Sequence, residues 1–247
     1  MKKFLPLLTG LLVFYGVEAQ DNAALKKHYL KVYSQALNYN DAGSAINALQ
    51  GYIAIDTNSI EYKDTLSILY FTTKNYYSAL LLSEEVSKAA PNNADAMARA
   101  AECYDELGDP KTAVGLFEQV VPKTRSPYHI YKLAVCQYQI KRTAECEASA
   151  RAVLADTSSK RIGVPFTSMD GTQQAVPVNA AAANLLGVLR MDTKNYAEAK
   201  KFFQDALTMY PQFAGAKGNL DVCDKNLKGA KTPVKPGTKP ATTKPNG

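Results

Sequence analysis

Side chains that do chemistry have to converge, so the residues able to do it are the natural starting point. The chain of 247 residues carries two histidines, His28 and His129, far apart and without a second base or ligand at motif spacing. It has no phosphate-cradling glycine loop, no Gly-x-Ser-x-Gly turn for a nucleophile and no His-Glu-x-x-His zinc site. Carboxylates stand in pairs at Glu84-Glu85 and Asp105-Glu106. Adjacent positions on a helix do not face one another, so such pairs do not close on one point. The four cysteines, Cys103, Cys136, Cys146 and Cys223, show no Cys-x-x-Cys spacing, against a redox dithiol or a zinc ribbon. Cys136 and Cys146 flank a turn at Lys141-Arg142 at similar distances, which makes a bridge conceivable. Free, buried cysteines are the leading reading, because small buried cysteine is common. These residues predict no enzyme, no cofactor and no metal.

The elements that would position any site follow from composition. Hydrophobic residues make up 46% and charged residues 21%, an ordinary globular mix that excludes a wholly disordered chain and an integral membrane protein. The formal charge of +6 is unevenly placed. Setting aside residues 1–19 (Lys2, Lys3, Glu18) and the five lysines Lys228, Lys231, Lys235, Lys239 and Lys244 leaves 22 basic and 22 acidic residues in 20–227. A neutral body of this kind predicts no nucleic-acid partner.

Lys2 and Lys3 precede an apolar run from Phe4 to Tyr15, and Val17-Glu18-Ala19 then leads to Gln20. That order predicts a secretory signal peptide over 1–19, cut between Ala19 and Gln20. The run is shorter than the ~20 residues a membrane span needs. The mature chain is therefore expected to lack a transmembrane segment and to be exported, periplasmic or envelope-associated in a Gram-negative bacterium.

Within the body one spacing recurs. Ala45, Ala79 and Ala113 are evenly separated, each just inside a second helical stretch. Leu66-Ser67-x2-Tyr70 leads to Ala79; Ala100-Ala101-x2-Tyr104 leads to Ala113-x3-Phe117; Leu186-Gly187-x2-Arg190 leads to Ala199-x3-Phe203 and Pro211. A further copy, Leu133-Ala134 then Cys146-x3-Ala150, fits with one residue of slip. Asn40-Asp41, Lys74-Asn75, Gly108-Asp109-Pro110 and Lys194-Asn195 fall between paired helices, where turn chemistry belongs. Eleven helices are predicted, near 23–40, 43–56, 60–73, 76–89, 94–107, 110–122, 127–141, 143–155, 179–193, 196–209 and 213–228.

This pattern resembles the tetratricopeptide repeat, a helix–turn–helix unit of about 34 residues. The resemblance implies an all-α, right-handed solenoid of about five hairpins over 20–229, with a C-terminal capping helix. It also implies a non-catalytic scaffold that binds a protein or peptide on the first helix of each hairpin. Carried onto this chain, that surface holds Asp64, Phe71, Asp95, Glu102, Asp105, Glu106, Tyr128, Tyr131 and Tyr138, acidic in the middle and rich in tyrosine beyond. It predicts a basic or apolar partner segment.

Two stretches break the period. Residues 156–178 are an insertion in which Asp170-Gly171 separates β-forming runs, so a hairpin or an irregular loop is expected. Residues 230–247 are Lys, Pro and Thr-rich and predict a disordered tail. An alternative reading gives these two stretches the function, as an envelope-polymer-binding protein or enzyme accessory.

Overall fold

A computed structural model describes the backbone of residues 6–168 and 171–229 and the side chains from 21 to 228 within those limits. The basic start of the expected signal peptide and the tail 230–247 lie outside the described residues. The chain forms two compact units, Met1–Arg142 and Thr143–Gly247. The first contains α1 (Pro6–Asn38), α2 (Ala42–Ile55), α3 (Ile60–Thr72), α4 (Tyr76–Ala89), α5 (Ala94–Glu106), α6 (Pro110–Thr124) and α7 (Pro127–Gln139). The second contains α8 (Thr143–Ala155), a 3₁₀ turn (Thr157–Arg161), β1 (Gly163–Thr167), β2 (Gln173–Pro177), α9 (Val178–Asp192), α10 (Tyr196–Met209) and α11 (Ala214–Gly229). The architecture is all-α and of the helical-hairpin solenoid class, with one small β-hairpin inserted. Most bounds fall within two residues of expectation, and two differences have a bearing on the reading. α1 runs back to Pro6, through the expected cut at Ala19, and α6 continues past Pro122 to Thr124. Pro122 sits in the last turn of α6, where it interrupts little of the helix, and Arg125 in the left-handed conformation ends it.

The hairpin turns share one local mechanism. Asn40, Lys74, Gly108, Lys141 and Lys194 all have positive φ, between 53° and 86°. The first three are evenly spaced at one repeat length and the fourth comes one position early, which is the slip seen in the sequence. The next residue in four of these turns caps the second helix. Asp41, Asn75, Asp109 and Asn195 each accept a hydrogen bond from the backbone N–H three residues on. Such caps satisfy amides that a helix start leaves open, at about 1 kcal/mol each.

Small residues let the paired helices cross closely. Ala45, Ala79, Ala113 and Ala199 are fully buried, and Phe117 and Phe203 fill the groove four residues later. In unit one Ala101, Ala113, Val114, Phe117, Leu133 and Cys136 form one apolar cluster; in unit two Ala199, Phe203 and Cys223 form another. All four cysteines are free and buried. Burial pushes the Cys103 and Cys136 thiols up to about 12 and Cys146 to about 11, which keeps them protonated at neutral pH.

The insertion is an antiparallel hairpin that pairs Val164 with Val176 and Phe166 with Gln174. Bonds from Val178 N–H to Ile162 O (2.8 Å) and from Ser168 N–H to Thr172 O (2.9 Å) fix the phase of the ladder. By alternation, residues 163, 165 and 167 and residues 173, 175 and 177 direct their backbone polar groups away from the partner strand. Pro165 and Pro177 occupy such positions and remove no ladder bond. Val164, Phe166, Ser168, Gln174 and Val176 share the packed face. Phe166 meets Phe213 edge-on at 4.7 Å, and Gln174 accepts from Ala214 N–H (2.9 Å) while donating to Gln212 O (2.7 Å). The hairpin is thereby fastened to the start of α11.

Candidate protein-binding face

In unit one the first helices of consecutive hairpins, α3, α5 and α7, touch in succession. The acidic residues expected on this face lie on it, but several are bonded across it rather than left to solvent. Asp64 on α3 accepts from the Arg99 guanidinium on α5 and from Asn93 Nδ2 at 3.2 Å. Arg99 Nε also reaches Ser67 Oγ at 2.8 Å and Ser83 Oγ at 3.2 Å, so its planar fork fastens α3, α4 and α5 together. Between α5 and α7, Tyr128 donates its hydroxyl to Glu102 at 2.7 Å and Lys132 bonds Asp105 at 2.9 Å. Asp105 and Lys132 are both nearly buried, with side chains 8% and 13% exposed.

The remaining candidates separate into two groups. Asp95 and Glu106 are exposed, Glu106 also meeting the Tyr76 hydroxyl, while Tyr138 is half-buried. Tyr131, by contrast, is 7% exposed and belongs to the interior. Phe71 packs on the Ala79, Leu80, Ala100 and Cys103 cluster with its ring 5.6 Å from Tyr76. The physical reason is that a helix flanked by neighbours on both sides carries apolar residues on more than one face, and a 3.6 period alone does not say which face is inward. The structure brings together Glu102, Asp105, Glu106 and Tyr128 and leaves Phe71 and Tyr131 in packing.

Arg99 and Lys132 are the residues that sequence reasoning missed. Both bond to a residue on the preceding first helix, Asp64 at a separation of 35 and Asp105 at 27. A search for opposite charges near one repeat length apart would have flagged Arg99, whereas Lys132 stands about two helical turns short of that spacing.

Burial raises the Glu102 carboxyl, outweighing the Tyr128 hydrogen bond and the charge of Lys132; Glu106 and Asp105 add to the rise. The folded state therefore holds this proton where the unfolded chain has released it. Stability falls as pH climbs from the usual carboxylate range up to the raised folded value. Glu102→Gln, which keeps an acceptor for Tyr128, is expected to flatten that slope in melts between pH 4 and 7; an unchanged slope would remove Glu102 as its source. Burial alone would lower the Lys132 ammonium, but Asp105 and Glu102 hold it above its usual value.

Among the described residues no three His, Cys, Asp or Glu side chains come together as a metal site, and no helix is long and apolar enough to cross a membrane. In unit two the charged cluster is Arg190 with Glu147 (2.6 Å) and Glu198 (2.9 Å), plus Arg151 with Glu147 (2.7 Å). Both arginines stack over Phe202, and every charge in the cluster is paired.

The comparisons with known proteins agree with this architecture. The profile described as "Anaphase-promoting complex, cyclosome, subunit 3" matches residues 72–153, and the tetratricopeptide repeat profile matches 180–213. No curated protein matches the chain in sequence. Among solved structures, a tetratricopeptide repeat protein from Parabacteroides merdae superposes with a TM-score of 0.66 at 12% identity, covering 83% of this chain and 74% of that one. MamA superposes at 0.63 with 13% identity, covering 78% and 95%. YrrB, described as a TPR protein with an unusual peptide-binding site, superposes at 0.61 with 15% identity, covering 77% and 89%. At such identities the likeness is one of fold. With the recurring spacing of about 34 residues, the consecutive hairpins, the buried alanines at their crossings and the repeat profile over 180–213, the chain is a tetratricopeptide repeat protein.

Proposed function

We propose that this chain is an exported, non-catalytic scaffold whose α3–α5–α7 face binds a basic segment of a partner protein. The fold class favours a binding role, and YrrB offers a precedent of the same fold with a peptide-binding site. The observation that carries the choice of partner is an uneven charge balance on one face. α5 brings Asp95, Glu102, Asp105 and Glu106 to it, and the two cations there, Arg99 and Lys132, are already taken by Asp64 and Asp105. Asp95 and Glu106 are left exposed, and Glu102 is bonded to a phenol. Tyr128 borders the acidic residues and supplies apolar area for an anchor side chain. The charged–apolar–small order of residues 2–19 supports export.

Each exposed ion pair is worth about 0.2–1 kcal/mol, so affinity depends on several acting together and falls with salt. A fluorescent Lys/Arg-rich peptide followed by anisotropy is expected to bind the full chain and to release as salt rises. The pair Asp95→Lys and Glu106→Lys, both at exposed positions, is expected to weaken it about tenfold with only a small shift in the melt, since Asp95 opens α5 and Glu106 meets the Tyr76 hydroxyl. Equal affinity for the reversed variant would overturn the choice of a basic partner. N-terminal sequencing of exported material is expected to read from Gln20, and retention of Met1 would remove the export reading.

A further inference from the structure

A second site lies in unit two, and it is independent of the function proposed for the acidic face of unit one. Phe166, Thr167 and Ser168 on one side and Ala214, Gly215, Gly218 and Asn219 on the other line a cleft of about 200 Å³. That is below the ~300 Å³ at which drug-sized ligand pockets begin, and about seven waters' worth of space. The occupant is therefore small, or is the end of something larger.

The chemistry of the walls is divided. Phe166 supplies an apolar ring. Gly218 leaves the cleft open, since a Cβ placed there meets nothing within 4 Å, while a Cβ on Gly215 would strike the Phe166 ring at 2.5 Å. A mid-helix glycine costs about 1 kcal/mol against alanine. Phe166 accounts for Gly215 in steric terms, whereas no contact among the described residues demands Gly218.

The polar side of the cleft is the start of α11. Its helix dipole favours an anion there. Gln174 takes the Ala214 N–H, Phe213 O takes that of Lys217, and no acceptor meets the N–H of Gly215 or Ala216 among the described residues. The first turn contains no acidic side chain. An independent observation comes from the opposite wall. Ser168 is 8% exposed, and its hydroxyl is buried without a hydrogen-bond partner among the described residues. A buried hydroxyl left unpaired costs about 1–3 kcal/mol. Asn219 gives one N–H to Asn184 at 3.0 Å, which leaves its second N–H and its carbonyl oxygen for a ligand.

From these features we infer that the cleft binds a carboxylate attached directly to a compact apolar group. The carboxylate takes the open Gly215 amide at the start of α11 and the Ser168 hydroxyl, and the apolar group lies against Phe166 over Gly218. Two sources carry that chemistry: a free branched or aromatic carboxylic acid, and the last residue of a polypeptide.

The test is a titration of the ¹⁵N-labelled full chain with three probes: N-acetyl-leucine, its C-terminal amide, and 4-methylpentanoate. Saturable shifts of the Ser168, Gly215 and Gly218 amides with either acid are expected, with the amide at least tenfold weaker. Tighter binding of N-acetyl-leucine assigns the cleft to polypeptide ends, and tighter binding of 4-methylpentanoate assigns it to free acids. Ser168→Ala removes an unpaired hydroxyl, so it is expected to fold as well as the parent and to bind the acids several-fold more weakly. Gly218→Val places its Cβ in open space and fills the cleft with its two methyls; it is expected to abolish the shifts while the chain still melts as a folded protein. No saturable shift with either acid, equal binding of N-acetyl-leucine and its amide, or full binding by a folded Gly218→Val would overturn the assignment.

Discussion

Gly187→Leu is expected to lower the thermal midpoint more than any exchange of an exposed charge. Gly187 lies on α9 at the crossing with α10, and even a Cβ there would run into the ring of Phe203. Phe203 is itself fully buried against Ala199 and Cys223, so it has nowhere to turn. Overpacking of this kind costs ~1–3 kcal/mol, and leucine adds three carbons beyond the Cβ that already clashes. For a unit of roughly a hundred residues each kcal/mol corresponds to about 4–8 °C. Gly187→Ala should show the smaller part of the same effect. A leucine variant that melts with the parent would mean that the helices do not cross at this residue.

The second large effect belongs to Lys132. Its ammonium and the Asp105 carboxylate are 2.9 Å apart and nearly out of water, and the Cys136 thiol is the other side chain that bonds the carboxylate. Lys132→Met leaves that carboxylate buried without its counter-ion, with only the weak thiol donor of Cys136 beside it, at an expected cost of about 3–5 kcal/mol. The double variant Lys132→Met, Asp105→Leu is expected to recover most of the loss, because the pair together contributes far less than either member left alone. Chemical denaturation of the two variants beside the parent makes the comparison; equal destabilisation by the single and double changes would show that packing, not charge, is what the site supplies. Because the folded state holds the Lys132 proton more tightly than the unfolded chain does, the pair's contribution is complete below the usual lysine range. It is lost only as pH rises through the raised value.

The repeat was legible because its cause is local. Alanines at the crossings, aromatic residues a helical turn away and Asp or Asn at the caps recur once per repeat, and each acts on neighbours within one hairpin. Even the one-residue slip in the fourth copy reappears as the early left-handed residue Lys141. Asp170-Gly171 between β-formers carried the hairpin signal in the same way. What was not legible is cross-repeat. Nothing at Asp64 announces Arg99, and nothing at Gln174 announces that it takes the first N–H of a helix 40 residues on. Those partners depend on which side chains stacking brings opposite one another. Phe71 and Tyr131 were placed on the binding face for a related reason: an apolar side chain satisfies a groove and an interior equally well in a one-dimensional pattern. The acidic candidates were found because carboxylates on one helix stand out, and Arg99 and Lys132 were passed over because a neutral total hides where each charge is spent.

The phase of the β1–β2 ladder also bears on how copies of this chain behave when crowded. A two-stranded sheet has two borders, each a row of amides on which a foreign strand can template itself, and this is how edge strands seed fibrils. Pro165 stands at the middle of the outer border of β1 and offers no N–H there, and Pro177 closes that of β2. A visiting strand laid along β1 would find donors at Gly163 and Thr167 with a gap between them, too sparse to hold a register. The prolines that the ladder tolerates without loss thus thin the row of donors that a strand from another copy would need.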